Sequence, residues 1–170
     1  MSVVEEKDGG MKIGFFGGKF IPFHKGHLYC VDFASRICDK VYVILFDTPE
    51  SRYLEHGTKI DSLLTSDARC EQIKKAISKY PNVEFRFINT NECMNEDGTE
   101  DWDKETPLVI KEIGSDFKYV FSSEPSYDAY FKRAYPWATH IIIDEKRIHV
   151  PISGTEVRTM TMEEAIKWLA

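Results

Sequence analysis

A short apolar run that stops at two glycines and gives way to a helical pattern constrains this chain more than any other feature. Residues 11–18 read MKIGFFGG, and the following segment spaces Leu28, Val31, Phe33, Ala34 and Ile37 along one helical face. Residues 41–46 (VYVILF) then form an unbroken β-branched and aromatic run, the composition of a strand covered on both faces of a parallel sheet. Strand, turn, helix, strand make one βαβ unit, and a chain that starts this way is committed to a layered α/β architecture.

The alternation continues. Ser66 or Asp67 is placed to cap a helix running to about Lys79, with Cys70, Ile73, Ala76 and Ile77 on one face, after an irregular stretch over 47–65. Residues 83–88 (VEFRFI) read as the next strand, 89–104 as a polar loop, 108–113 as a short helix and 119–121 as a strand. Residues 127–134 read as helical, 139–143 (THIII) as a fifth strand, and Ser153 as the cap of a last helical region ending in EEAIKWLA. The pattern predicts an open, mostly parallel α/β sheet of about five strands with helices on both faces. A length of 170 residues suits one domain, 1–170, with residues 1–10 expected as a flexible N-terminal segment. Ligands of such sheets bind beyond the carboxyl ends of the strands, and the first such end is at Phe16 to Gly18.

Composition narrows what can bind there. Against 22 Lys and Arg stand 28 Asp and Glu, a net charge of −6, so nucleic acid held on a broad basic surface is not expected and a phosphate-bearing ligand needs a local positive site. No run approaches a membrane-spanning length, and MSVVEEKDGG lacks the pattern of a secretory leader, so no membrane partner and a cytoplasmic location are expected. Cys30, Cys38, Cys70 and Cys93 contain no C-x-x-C pair and read as reduced thiols.

The local positive site is legible in residues 17–27, GGKFIPFHKGH, between the first strand and the first helix. Gly17, Gly18 and Gly26 let backbone N–H groups approach phosphate oxygens, and the positive end of the helix points the same way. His24 and His27, three apart at the helix entry, put two imidazoles on one side of the site, and Lys19 adds a fixed charge. A plain capping or packing role accounts for many histidine pairs, but not for one that follows a glycine turn at a strand end. The H-x-x-H spacing lacks the five-residue zinc pattern and its Glu, so no metal site is expected. Residues 152–158, ISGTEVR, form a second anion-binding candidate: Ser153, Gly154 and Thr155 open a helix and Arg158 lies one turn in. Alone this is a capping box, Ser153 with Glu156.

Together the two segments resemble the nucleotidyltransferases marked by (T/H)-x-G-H and I-S-x-T-x-x-R motifs, here His24-Lys25-Gly26-His27 and Ile152 to Arg158. GKFIPFHKGH, FSSEP at 121–125 and DEKRIHVPISGTEVR look most similar to the NadR-like nicotinamide mononucleotide (NMN) adenylyltransferases, over residues 11 to about 158. The resemblance implies a Rossmann-like enzyme that joins ATP and a nucleotide monophosphate into a dinucleotide, here NMN into NAD, releasing pyrophosphate, with Mg²⁺ carried by the ATP phosphates. It implies His24 and His27 on the ATP phosphates, Lys19 and Phe20 along the phosphate path, and Ser153, Thr155 and Arg158 on the β- and γ-phosphates. Ser122 and Ser123 would line the nucleotide site. Many relatives carry Asp or Gln where this chain has Ile21, so any polar contact made there must be absent or replaced. Relatives are often oligomers, so a homo-oligomer is a further expectation.

Other features carry less. The acidic stretch 91–105 reads as a solvated loop, since a calcium-loop register would put Cys93 first. Trp102 within it is the candidate to stack on the acceptor base. Trp137 and Trp168 read as packing residues, Arg69 as a surface residue, and His56, His140 and His149 are assigned no chemistry. The longer relatives' kinase domain and DNA-binding module are expected to be absent, since no G-x-x-x-x-G-K-[ST] occurs and about ten residues precede the first strand. The alternatives are adenylyl or cytidylyl transfer to another phosphorylated acceptor, and a non-catalytic nucleotide-binding regulator. A fragment of an aminoacyl-tRNA synthetase is disfavoured by length, charge and the missing lysine-serine-lysine signature.

Overall fold

The computed structural model describes residues 10–48 and 57–170. His56 and residues 1–9 of the expected N-terminal segment lie outside the described residues, as do 49–56 of the irregular stretch. Five strands, β1 (Ile13–Gly18), β2 (Lys40–Asp47), β3 (Val83–Asn89), β4 (Tyr119–Ser122) and β5 (Thr139–Ile142), form one sheet in the order β3-β2-β1-β4-β5. Every pairing is parallel, which makes this a Rossmann-like open α/β sheet. The chain order reverses at β1, so the crevice between the carboxyl ends of β1 and β4 is the topological switch point where such sheets bind ligands.

Side-chain alternation along the strands sends residues to two cores. Phe16, Val41, Val43, Leu45 and Phe121 pack against Cys30, Val31 and Ala34 of α1 (Lys25–Ile37) and Ile73 and Ile77 of α2 (Ser66–Ile77). Phe15, Tyr42, Ile44 and Val120 face the other way, against Val109 of α3 (Glu105–Ile113) and Tyr130 of α4 (Asp128–Ala134). A third cluster joins Ile60 and Leu64 to Ile152, Val157 and Ala165, uniting the stretch before α2 with α5 (Gly154–Arg158) and α6 (Met162–Ile166). The expected last helical region is thus two short helices, because Thr161 caps a new one with Glu164 in a capping box.

Two expectations around α2 change. Its N-cap is Thr65, whose Oγ1 accepts from the Ala68 N–H, while the Ser66 hydroxyl instead donates to Asp47. Arg69 is not a surface residue: it is 0% exposed, and its guanidinium bonds Asp47 Oδ1 at 2.6 Å and the carbonyls of Leu64 and Lys19 at 2.9 and 2.8 Å. A charge that deep is tolerated because each edge of the guanidinium finds an acceptor. All four cysteines are free thiols. Among the described residues no helix is long and apolar enough to cross a membrane.

Candidate active site

The glycine turn after β1 is shaped by rings. A side chain at Gly17 would collide with the ring of Phe46, and a Cβ at Gly18 would stand 2.9 Å from the ring of Phe20. Phe20 has left-handed backbone (φ 49°), uncommon for a bulky residue, and its buried ring packs edge-on to Phe23 at 5.0 Å and to His27 at 4.9 Å. The Arg69 bond to the Lys19 carbonyl fixes the turn from below. Ile21 packs against the third cluster, and its carbonyl accepts from Arg158 at 2.7 Å.

His24 is the N-cap of α1. Its Nδ1 accepts the Gly26 N–H at 3.0 Å, and His27 Nδ1 accepts the His24 N–H at 3.1 Å, a capping box built from two imidazoles. A Cβ on Gly26 would lie 2.8 Å from the His24 ring, so this box needs glycine there. Because a backbone N–H can only donate, both Nδ1 atoms are acceptors, and in the neutral rings the proton is on Nε2. The rings stack with centroids 3.7 Å apart. Burial, then the Arg147 charge, lowers the His24 pKa to about 4. Burial, then His24 and Arg147, holds His27 well below 6.5. At neutral pH the pair therefore offers two uncharged Nε2–H donors.

These groups line a cleft of about 230 Å³ at the switch point, shared by Gly17, Gly18, Lys19, Phe20, His24, Gly26 and His27 with Ser122, Ser123 and Arg147. Ser153 caps α5 by accepting the Glu156 N–H at 3.1 Å, and a Cβ on Gly154 would lie 3.1 Å from the Ile21 carbonyl oxygen. Arg158 bonds Thr155 Oγ1 at 3.2 Å as well as Ile21, so α5 packs directly on the glycine turn. Its side chains do not line the cleft, whereas Arg147 does, with its Nη1 donating to the Ile152 carbonyl at 3.0 Å. Spacing alone does not single out Arg147 from Lys146 in DEKRIH. It is presented because the Asp144 carboxylate accepts the N–H groups of Ile148, His149 and Val150 and folds that loop back on itself.

Two more residues the sequence left without a role are wired in. His140 Nε2 lies 2.6 Å from Ser122 Oγ, and its Nδ1 lies 3.1 Å from Asp128 Oδ1, so a Ser-His-Asp relay fixes the hydroxyl at the end of β4. Ser123 Oγ is 3.3 Å from Cys30 Sγ. His149 stacks on Tyr29 at 5.2 Å. Trp137 packs near Phe117 at the surface, and the Trp168 carbonyl accepts the Lys25 N–H at 2.8 Å, tying the chain's last residues to the helix entry.

Gly17, Gly18, Lys19 and Tyr127 also border a second pocket of about 270 Å³. Its walls are aromatic, with Trp102, Tyr130 and Phe131 among them, and carry Glu100 and Glu105. Trp102 meets Tyr127 edge-on at 5.0 Å, and its carbonyl accepts the Tyr130 hydroxyl at 2.7 Å, so the loop carrying it is pinned rather than free. Among the described residues no group of three or more His, Cys, Asp and Glu is arranged to hold a metal.

A phosphopantetheine adenylyltransferase of Clostridium botulinum (strain Hall) is 32% identical over 115 residues, 65% of this chain and 60% of that protein. The trifunctional NAD biosynthesis/regulator protein NadR of Escherichia coli K12 is 26% identical over 149 residues, 86% of this chain and 36% of its own length. The match therefore spans less than two thirds of either curated relative. Among solved structures, a NadR protein in complex with NR shares the fold with a TM-score of 0.68 at 21% identity, covering 94% of this chain and 44% of the other. A family model described as Cytidylyltransferase-like matches residues 15–160, from the middle of β1 to just past Arg158, and the chain belongs to that family.

Proposed function

We propose that this chain transfers the adenylyl group of MgATP to nicotinamide mononucleotide, forming NAD and releasing pyrophosphate. The observation that carries this reading is the paired site: a glycine-turn cleft bearing two Nε2–H imidazoles and cationic side chains, opening on an aromatic pocket that contains Trp102. A phosphate oxygen of the acceptor attacks the α-phosphorus in line, the bond from that phosphorus to the bridging oxygen breaks, and pyrophosphate leaves. Such a reaction asks for positioning and charge neutralisation and needs no covalent enzyme intermediate. His24 and His27 donate to phosphate oxygens where charge accumulates, Arg147 supplies positive charge, and Lys19 adds its own when it exchanges Glu100 for phosphate. Ser153, Thr155 and Arg158 hold the far phosphates in the reading drawn from the family's motifs, a role that requires the Arg158 fork to exchange a protein contact for phosphate. The metal travels with the nucleotide. Trp102 and the neighbouring rings stack on the acceptor's base.

Phosphopantetheine is the second acceptor to weigh, because the C. botulinum adenylyltransferases share 30–32% identity with this chain over 115 residues. Pyrophosphate release from MgATP with each acceptor separates the two. NMN-dependent release with NAD as product is the expected result. Release with phosphopantetheine alone reassigns the acceptor, and binding of ATP without release to any acceptor leaves a non-catalytic nucleotide-binding protein.

A further inference from the structure

The second pocket carries a charge pattern that adenylyl transfer itself does not require. Apart from tyrosines, its ionisable lining residues are Lys19, Glu100 and Glu105. Lys19 Nζ lies 2.5 Å from Glu100 Oε1, so those two charges offset each other at short range. Glu105 is 7% exposed, and its Oε2 is buried with no hydrogen-bond partner among the described residues. The residue opens α3, where the positive end of the helix tempers a carboxylate's charge without giving this oxygen a donor. A buried carboxylate oxygen lacking a donor is costly, and a ligand that supplies a positive charge or an N–H recovers that cost on binding.

Resting on the reading of this pocket as the acceptor's, we propose that Glu105 sets the charge class the pocket admits: a permanently cationic pyridinium bearing a carboxamide enters, and the carboxylate analogue is turned away. NMN carries that cationic ring and an amide NH₂. Nicotinate mononucleotide brings a further carboxylate into an aromatic pocket that already holds Glu105 and the Lys19-paired Glu100, and its charge is repelled by that of Glu105. The rings that stack on the base accept either acid or amide, so the discrimination falls to Glu105.

The test measures binding of nicotinamide riboside and nicotinate riboside to the full chain by tryptophan fluorescence, beside turnover of the two mononucleotides, in wild type and Glu105→Gln. Glutamine keeps the volume and an amide-accepting oxygen but removes the charge. Wild type should favour the amide at least about tenfold, and Glu105→Gln should shrink that ratio by about tenfold, equivalent to about 1.4 kcal/mol. An unchanged ratio in folded Glu105→Gln, equal binding of both ribosides by wild type, or binding of neither overturns the proposal. A comparison needing no variant sets nicotinamide riboside against its uncharged 1,4-dihydro form. Tighter binding of the cation supports the role of charge, and equal binding refutes it. The two readings fail separately: a Glu105-dependent riboside preference without NAD formation sinks the enzymatic reading alone, and equal use of both mononucleotides sinks only this one.

Discussion

Acidification from pH 7 to pH 4 is predicted to destabilise the protein through His24, and His24→Asn should remove that part of the acid sensitivity. Burial, with the Arg147 charge second, lowers the pKa of this residue from 6.5 to about 4. Between those values the unfolded chain binds more protons than the folded one, so the stability from keeping the ring neutral is complete above about pH 6.5 and is lost as pH falls towards 4. At about 1.4 kcal/mol per pH unit the loss comes to about 3 kcal/mol. Little of it is screened, since the residue is 2% exposed. His27 pushes the same way, first through its burial and then because a proton on either stacked ring disfavours one on the other. Urea unfolding followed by circular dichroism, at steps from pH 4 to 7.5, reads the effect in wild type and in His24→Asn, which keeps a side-chain acceptor at the helix N-cap. Wild type should lose about 3 kcal/mol more than the variant across the window. Stability curves that run parallel within about 1 kcal/mol would refute the claim that the fold holds His24 neutral.

Three substitutions extend the account. Arg69→Leu removes the cation bonded to Asp47 and the donors to the Lys19 and Leu64 carbonyls, and should cost about 3–5 kcal/mol. At about 2–4 °C per kcal/mol, calorimetry should show a drop of about 6–20 °C in Tm, and a Tm at the wild-type value contradicts the buried pairing. Arg147→Ala removes one donor to the Ile152 carbonyl, so it should lower Tm by only a few degrees and lower kcat/KM for ATP by roughly ten- to hundredfold, the worth of a charge-assisted bond of about 1.5–3 kcal/mol. Unaltered ATP kinetics would remove it from the site. Trp102→Ala should raise KM for NMN by roughly fivefold or more, the scale of about 1–3 kcal/mol for base stacking, with KM for ATP constant. A parallel rise in both constants would instead mean a general disturbance of the loop.

What the sequence discloses and what it hides divide along the range of the interactions. The strands are legible because apolar runs such as 41–46 are local and β-branched, and β2 begins one residue before that run and ends one after it. The histidine pair is legible because its residues are close in sequence and placed by a glycine turn. Arg69 is misjudged because nothing local distinguishes a helical arginine facing solvent from one whose acceptors arrive from positions 19, 47 and 64. His140 and Ser122 meet only because β4 and β5 pair in register, His140 opposite Val120, which sets its ring beside Ser122 two residues further along the same face of β4. Arg147 reaches the cleft through a loop fold set by one aspartate, and the Glu105 oxygen is left without a donor by packing that no spacing records. In the second segment the motif is found where expected, but Arg158 is engaged with the Ile21 carbonyl, a contact across 137 positions of sequence.

The central claim is that the two stacked imidazoles act as neutral donors in adenylyl transfer to NMN, and NAD formation from MgATP and NMN by wild type and by His27→Ala tests it most directly. The account predicts NAD and pyrophosphate in equal amounts from wild type, and a turnover at least about a hundredfold lower from the folded variant, the scale expected when a donor to developing charge is removed. Wild-type turnover in His27→Ala, or no NAD from folded wild type that binds ATP, would contradict it.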